Sequence, residues 1–212
     1  MNSPQTADVV IIPASQINAE HLTHWYKWLE DTMTERGLRV LRPEFPGGDL
    51  QTFDTWMAVM TKHEKEIGDN TIIVGHSLGG MLLARWLETH VVGAAVFVAA
   101  PYKEERQLWS RVPSRPSKTS GFFSRTPDWE KIRSHARIFR LLYGDKDILI
   151  PSDHAETYSR ELRCNVTWIL SGGHLDEMSG FTEFTSLADQ IMHIHGELSR
   201  DIHEGKRREV LT

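Results

Sequence analysis

The stretch TIIVGHSLGG, residues 71–80, joins an apolar run to the pattern G-x-S-x-G and decides the fold. Gly75 and Gly79 flank Ser77 at the two positions where a sharp turn from strand to helix leaves no room for side chains. Such a turn holds the serine hydroxyl above the edge of the sheet. The same pentapeptide is also compatible with a tight turn and a serine helix cap, so the rest of the chain must separate the two interpretations.

Short β-branched runs alternate with longer amphipathic segments, which predicts βα units and a mainly parallel sheet. Strands are predicted at residues 8–14, 39–45, 71–75, 91–100, 137–144 and 165–170. Helices are predicted at residues 19–37, 52–68, 79–90, 152–162 and about 182–204. We therefore predict one α/β domain over residues 1–212, with about six strands and helices on both faces of the sheet.

Composition and charge narrow the class of protein. Hydrophobic residues make up 40% and charged residues 25% of the 212, which is typical of a globular protein. The formal net charge of -5 does not favour a nucleic-acid partner. No apolar run approaches the roughly 18 residues of a membrane span, and the N-terminus lacks the basic start of a signal peptide. With Cys164 as the single cysteine, these features predict a cytoplasmic protein.

The spacing of later residues favours a catalytic serine. A serine hydroxyl needs a base within hydrogen-bond reach. In α/β sheets that carry the serine on a strand-to-helix turn, the catalytic residues follow along the chain in the order serine, acid, histidine. The acid is expected in YGDKDILIP after the fifth strand, where we favour Asp147 over the alternative Asp145. The histidine is expected after the sixth strand, where NVTWILSGGH places His174. Ser77, Asp147 and His174 are thus the predicted triad.

An oxyanion that forms on the substrate needs two N–H donors. We call the sharp turn at Ser77 the elbow. The backbone N–H of Leu78 would lie at the positive end of the helix that follows the elbow. A second donor is expected in the loop after the first strand, PASQ, residues 13–16.

Metal sites, cofactor sites and a cysteine nucleophile have less support in the sequence than a catalytic serine. His21 with His24, and His193 with His195, have no third ligand at a convincing spacing, so we expect no metal. No glycine loop for a phosphate is present, and we expect no cofactor. Cys164 has no base placed to activate it. The aromatic residues Trp25, Tyr26 and Trp28 fit helix packing, although Trp25 could form a wall of the pocket.

Residues 101–127 interrupt the alternation of strands and helices. The segment is rich in Ser, Arg and Pro, and it carries the aromatic residues Trp109, Phe122 and Phe123. Long loops in compact domains are usually functional or disordered. We interpret the segment as a small flap after the fourth strand and use that name below.

The chain resembles the small α/β-hydrolases related to retinoblastoma-binding protein 9. The resemblance rests on HWYKW, TIIVGHSLGG, ETHVVGAAVFVAA, SGFFSRTPDWEKI, YGDKDILIP and the final GGH, and it covers most of the chain. It implies the α/β-hydrolase fold, serine hydrolase activity, the triad named above, and Ser15 as the second oxyanion donor beside Leu78. The chain departs from these relatives in its first loop, where they tend to carry glycines and this sequence has PASQINAEH.

These features predict a carboxylesterase-like serine hydrolase that cleaves a small ester, thioester or amide through an acyl-enzyme. Trp25, His76, Phe122 and Phe123 are expected to contact the substrate. One alternative is a non-catalytic protein on the hydrolase scaffold that binds a partner through the flap, because fold alone does not dictate function. Another is acyl transfer to an acceptor other than water, which would use the same triad.

Overall fold

One parallel sheet organises the molecule. The computed structural model describes residues 6–15, 25–105 and 121–210, without the side chains of residues 202–210. The strands of this part of the chain are β1 (Val9–Ile12), β2 (Val40–Leu41), β3 (Ile72–His76), β4 (Val92–Val98), β5 (Ala136–Gly144) and β6 (Val166–Ile169). They lie in the order β2-β1-β3-β4-β5-β6, and every neighbouring pair is parallel. The direction of the strand order reverses between β1 and β3, and ligands of open α/β sheets bind beyond the carboxyl ends of the strands at such a reversal.

Helices connect the strands. The α-helices of the described residues are α1 (Tyr26–Glu35), α2 (Phe53–Lys62), α3 (Leu78–Trp86), α4 (Trp129–Ser134), α5 (Ser152–Leu162) and α6 (Thr185–Val210). Short 3₁₀ turns occur at Gly48–Leu50, Glu64–Glu66 and Glu177–Ser179. A reciprocal pair of side chain to backbone hydrogen bonds between Thr52 and Thr55 begins α2 at its predicted position.

The strands are apolar on both faces because each face is covered. Successive residues of a strand point to opposite sides, so Val10 and Ile12 pack with α2, α3, α4 and α5, whereas Val9 and Ile11 pack with α1 and α6. The four residues are fully buried. The predicted α/β-hydrolase fold with helices on both faces is confirmed.

Several elements differ from the prediction: β2 is shorter, α4 was not predicted, and α2 ends at Lys62 instead of residue 68. The second strand was predicted over residues 39–45, yet only Val40–Leu41 pairs with β1. Pro43 cannot donate a ladder hydrogen bond, and Phe45 turns into the core instead. The helix α4 (Trp129–Ser134) was not predicted, because six residues are too few to establish a helical period.

The flap is described only at its two ends, since residues 106–120 lie outside the described part of the chain. At the returning end, Phe122 is fully buried and packs edge to face on Trp56 at 5.3 Å between ring centroids. Arg125 forms an ion pair with Glu88, which also accepts a hydrogen bond of 2.8 Å from the Asp128 N–H. The end of the flap next to α4 is therefore part of the folded core.

Candidate active site

Ser77 occupies a strained turn between β3 and α3. Its φ of 50° and ψ of -121° are rare for a residue with a side chain, and such backbone costs about 1–3 kcal/mol. The Ser77 N–H donates to the Val98 carbonyl at 2.8 Å, which fixes the turn against β4. A Cβ at Gly75 would lie 2.7 Å from the Gly79 carbonyl oxygen, and one at Gly79 would lie 2.3 Å from the Pro13 carbonyl oxygen. Both glycines are thus required by main-chain contacts.

Three side chains from distant parts of the chain form one line of hydrogen bonds. Ser77 Oγ lies 2.9 Å from Nε2 of His174, and Nδ1 of His174 lies 2.8 Å from Oδ2 of Asp147. The Asp147 and His174 side chains are 1% and 10% exposed. A carboxylate at Nδ1 leaves Nε2 of a neutral imidazole free to accept the serine proton. The arrangement has the geometry of a nucleophile, a base and an orienting acid.

The two candidate acids make different contacts. Asp147 uses Oδ1 to accept the N–H groups of Leu149 and Ile150, at 2.8 and 3.0 Å, which leaves Oδ2 for His174. Asp145 is exposed, and its Oδ1 accepts the Ser171 N–H in the loop after β6. The structure therefore brings Asp147, and not Asp145, to the histidine.

Two glycines place His174. Gly173 has a φ of 52°, and a Cβ there would lie 2.4 Å from Ser179 Oγ. That hydroxyl accepts the His174 N–H at 3.1 Å and donates to Asp176 at 2.8 Å. A Cβ at Gly144 would lie 2.1 Å from the Gly173 carbonyl oxygen, so the end of β5 and the histidine loop pack main chain to main chain. Ser179 and Asp176 gave no recognisable signal in the sequence.

Two backbone N–H groups, one after β1 and one at the start of α3, have no protein acceptor in the described chain. Leu78 begins α3, and Ser15 follows β1; within the described chain, neither N–H donates to another residue. The Ser15 side chain is engaged, because its Oγ lies 2.7 Å from Nε2 of Gln51. A free N–H at a helix start is a ready donor to an anion. Gln16, the last residue of the predicted donor loop, lies outside the described residues.

Most of the residues predicted to contact the substrate are core residues. Trp25, His76 and Phe122 have no exposed surface. Their rings are enclosed by neighbouring side chains, and contact with the substrate stays a prediction for all three. Phe123 is half-buried, and its role stays a prediction.

The first turn of α1 contacts two of the loops around the site. Tyr26 Oη accepts the Ala14 N–H at 2.8 Å and lies 2.6 Å from Nδ1 of His76. Nε2 of His76 lies 2.9 Å from the carbonyl oxygen of His174. Trp25 donates its indole N–H to the Leu175 carbonyl at 2.8 Å. The sequence suggested helix packing for Trp25 and Tyr26, and for Trp25 also a pocket wall, but it did not predict these hydrogen bonds.

A cluster of possible metal ligands lies at the start of the flap. One ligand atom from each of Glu105, Asp153 and His154 lies within 4.8 Å of the others. The Lys103 ammonium bonds Asp153 at 2.7 Å, and the Tyr102 N–H donates to Nδ1 of His154 at 3.1 Å. In a neutral ring, Nε2 then carries the proton and donates to Glu105. The three side chains thus take part in a network of ion pairs and hydrogen bonds. Burial lowers the pKa of His154.

The remaining candidates lie away from the triad or outside the described chain. Burial raises the pKa of Cys164 to about 11, so the group is a thiol near neutral pH. His193 pairs with Glu197 on the exposed side of α6, and His21 and His24 are not among the described residues. None of the described helices combines the length and the apolar character needed to cross a membrane.

The sequence profile of a family described as serine hydrolase matches residues 9–193 of the chain. Among curated proteins, the serine hydrolase RBBP9 of Rattus norvegicus is 28% identical over 189 residues, which cover 88% of this chain and 94% of that protein.

Solved structures share the fold. The product of the ydeN gene of Bacillus subtilis superposes with a TM-score of 0.76 at 21% identity, over 90% of this chain and 100% of that one. A structure from a study of carboxylesterases of Nitrososphaera gargenis gives a TM-score of 0.69 at 12% identity, over 95% of this chain and 94% of that one. At these identities the likeness concerns the fold.

Proposed function

Because the chain belongs to the serine hydrolase family, it is a hydrolytic enzyme, and we propose that Ser77, His174 and Asp147 carry its reaction. The proposed substrate is a small ester, thioester or amide. The observation that supports this most directly is the unbroken line of hydrogen bonds from Ser77 Oγ through the imidazole of His174 to Asp147, at 2.9 and 2.8 Å.

The proposed first half-reaction forms an acyl-enzyme. Ser77 Oγ attacks the carbonyl carbon while its proton passes to Nε2 of His174, and the Asp147 carboxylate stabilises the imidazolium. The oxyanion accepts hydrogen bonds from the N–H groups of Leu78 and Ser15. When the tetrahedral intermediate collapses, the bond to the leaving group breaks and the leaving group takes the proton from His174.

The second half-reaction restores the enzyme. Water enters in place of the leaving group, His174 accepts a proton from it, and the oxygen attacks the acyl carbon. The ester bond to Ser77 breaks, Ser77 Oγ recovers its proton from His174, and the carboxylic acid leaves. The same two N–H groups hold the second oxyanion.

Covalent labelling tests the nucleophile. A fluorophosphonate probe should label the wild-type protein and leave Ser77→Ala unlabelled, because phosphonylation requires the activated hydroxyl. Ser134→Ala is the matched control, since Ser134 is exposed on α4 and its hydroxyl bonds only the Lys131 carbonyl. Equal labelling of wild type and Ser77→Ala would overturn the proposal.

Substitutions of Asp147 and Asp145 test which carboxylate orients the imidazole of His174. Asp147→Asn should lower kcat for a p-nitrophenyl ester by about 10³–10⁴-fold, because an amide supports the wrong tautomer of His174. Asp145→Asn changes the neighbouring acid of the same turn, which bonds only the Ser171 backbone, and should leave kcat within about threefold. Similar losses in the two variants would contradict the assignment of Asp147.

A further inference from the structure

Tyr26 and His76 are buried polar residues beneath the site, and the proposed reaction makes no use of them. Tyr26 is 7% exposed and His76 is fully buried. Together they connect the N–H of Ala14, in the loop after β1, to the carbonyl of His174, in the loop after β6. The three distances along this path are 2.8, 2.6 and 2.9 Å, all within the range of good hydrogen bonds.

The chemistry of the groups gives each bond a direction. The Ala14 N–H is a donor, so Tyr26 Oη accepts from it, and the His174 carbonyl is an acceptor, so Nε2 of His76 carries a proton. A neutral ring then accepts the phenol proton at Nδ1. Burial raises the pKa of Tyr26 far above its ordinary value, so the phenol keeps that proton. We call this path, from Ala14 through Tyr26 and His76 to His174, the relay.

The relay joins the parts of the chain that hold the reacting groups. Its first end precedes Ser15, which offers an N–H to the oxyanion, and its other end is the main chain of the proposed base His174. Its centre, His76, is the residue before Ser77. The rings of His76 and His174 lie 5.2 Å apart, so the relay also passes directly beneath the base.

We infer that Tyr26 and His76 are positioning residues, which fix the Ser15 N–H and the His174 imidazole relative to Ser77. This inference rests on the proposed function. The loop after β1 has no glycine to pack closely, and the phenol of Tyr26 instead fixes its main chain at Ala14. A displacement of about 1 Å at a reacting group can cost 10²-fold in rate, so such a hydrogen bond affects catalysis without contact to the substrate.

Tyr26→Phe tests the inference because it removes one hydroxyl and leaves the ring in place. We expect kcat for a p-nitrophenyl ester to fall about 10–100-fold while KM changes less than about threefold, because the oxyanion contact is made in the transition state. Tyr158→Phe is the matched control: it removes another buried phenol, which bonds the Pro101 carbonyl at 3.3 Å, and should keep wild-type kcat. Thermal unfolding of both variants compares their stability.

A second measurement is independent of turnover. Nitrogen NMR of wild-type protein labelled in histidine should find His76 at pH 7 as the neutral ring with its proton on Nε2. His76→Gln identifies the resonance. An imidazolium, or a proton on Nδ1, would overturn the inference even if Tyr26→Phe did not fold.

The outcomes separate the inference from the proposed function. If wild type is labelled at Ser77 and hydrolyses the ester, but Tyr26→Phe has the same kcat as Tyr158→Phe, only the positioning role fails. If the fluorophosphonate labels neither wild type nor Ser77→Ala, the proposed function fails, and the positioning role fails with it. A selective loss of kcat in Tyr26→Phe, with the expected His76 tautomer, supports both.

Discussion

The elbow at Ser77 and the loop after β1 each carry a proposed oxyanion donor, the N–H of Leu78 and that of Ser15, but the two regions are held in place differently. The elbow is fixed by main chain packed on main chain, since a Cβ at Gly79 would lie 2.3 Å from the Pro13 carbonyl oxygen. The loop after β1 has no glycine among its described residues. It is fixed by side chains, through the phenol of Tyr26 at Ala14 and the amide of Gln51 at Ser15.

The difference predicts how each region responds to substitution. A close main-chain contact has no room to relax, so an added methyl group strains the fold itself. A hydrogen bond from a side chain is worth about 0.5–1.5 kcal/mol net, so its loss loosens the loop without unfolding the protein. Substitutions in the elbow should therefore reduce stability first, and those in the loop should reduce the rate first.

The largest effect is expected from Gly79→Ala. Its methyl group would meet the main chain of Pro13 and of Ile12 at 2.3 and 2.7 Å, so β1 and α3 must separate. We expect a loss of more than about 3 kcal/mol in the free energy of unfolding, measured by urea denaturation. Gly37→Ala serves as control: a Cβ there has no neighbour within 4 Å, although its φ of 85° adds local strain. Equal losses in both would show that packing of the elbow is not the cause.

Gly80→Ala should cause a smaller loss in the free energy of unfolding, and a second substitution should restore part of it. A Cβ at Gly80 would lie 2.4 Å from the Cβ of Ala100, which is a side-chain contact. We expect a loss of about 1–3 kcal/mol by overpacking, and a partial recovery in the double variant Gly80→Ala with Ala100→Gly. The remaining contacts, at 3.2 Å to Ala100 Cα and the Gly75 carbonyl oxygen, prevent full recovery. Strict additivity of the two single substitutions would refute this explanation.

The smallest effect is expected in the loop after β1, from Ser15→Ala and Gln51→Leu. Each removes one partner of the pair at 2.7 Å, so kcat should fall about three- to tenfold with little change in the denaturation midpoint. A double-mutant cycle on kcat should give a coupling of about 1 kcal/mol between the two residues. The absence of coupling would mean that the pair does not position the Ser15 N–H.

The elbow could be predicted from the sequence because its determinants are contiguous. Gly75, Ser77 and Gly79 lie within five residues, and the apolar strand before them and the helix after them are equally local. Asp147 and His174 could be predicted because parallel strands bring their carboxyl ends to one edge of the sheet. The parallel α/β sheet followed from the alternation of strands and helices, and the α/β-hydrolase fold was implied by the resemblance to that family.

The supports of the loop after β1 could not be predicted, because they come from residues far away in sequence. Nothing in the sequence pairs Ser15 with Gln51, or Tyr26 with His76, and the contacts span 36 and 50 residues. The same limitation applies to the residues predicted to contact the substrate. An aromatic residue near a catalytic motif fits a pocket wall as well as a core, and Trp25 and Phe122 belong to the core.

Several predictions of the sequence stay predictions. A partner bound through the flap is one of them, and residues 106–120 of the flap lie outside the described chain. The cytoplasmic location rests on composition and on Cys164 as the single cysteine. The lack of a nucleic-acid partner rests on the net charge of -5.

The adjacent residues Trp25 and Tyr26 bond two loops that are about 160 residues apart in sequence, at Ala14 and at Leu175. Neither loop can then leave its place without disturbing the first turn of α1, which packs on the sheet. Regions that open separately under mild denaturant usually have few such connections. Esterase activity should therefore disappear at the same urea concentration as the helical circular dichroism signal, and the rate of turnover would report directly on how much of the protein is folded.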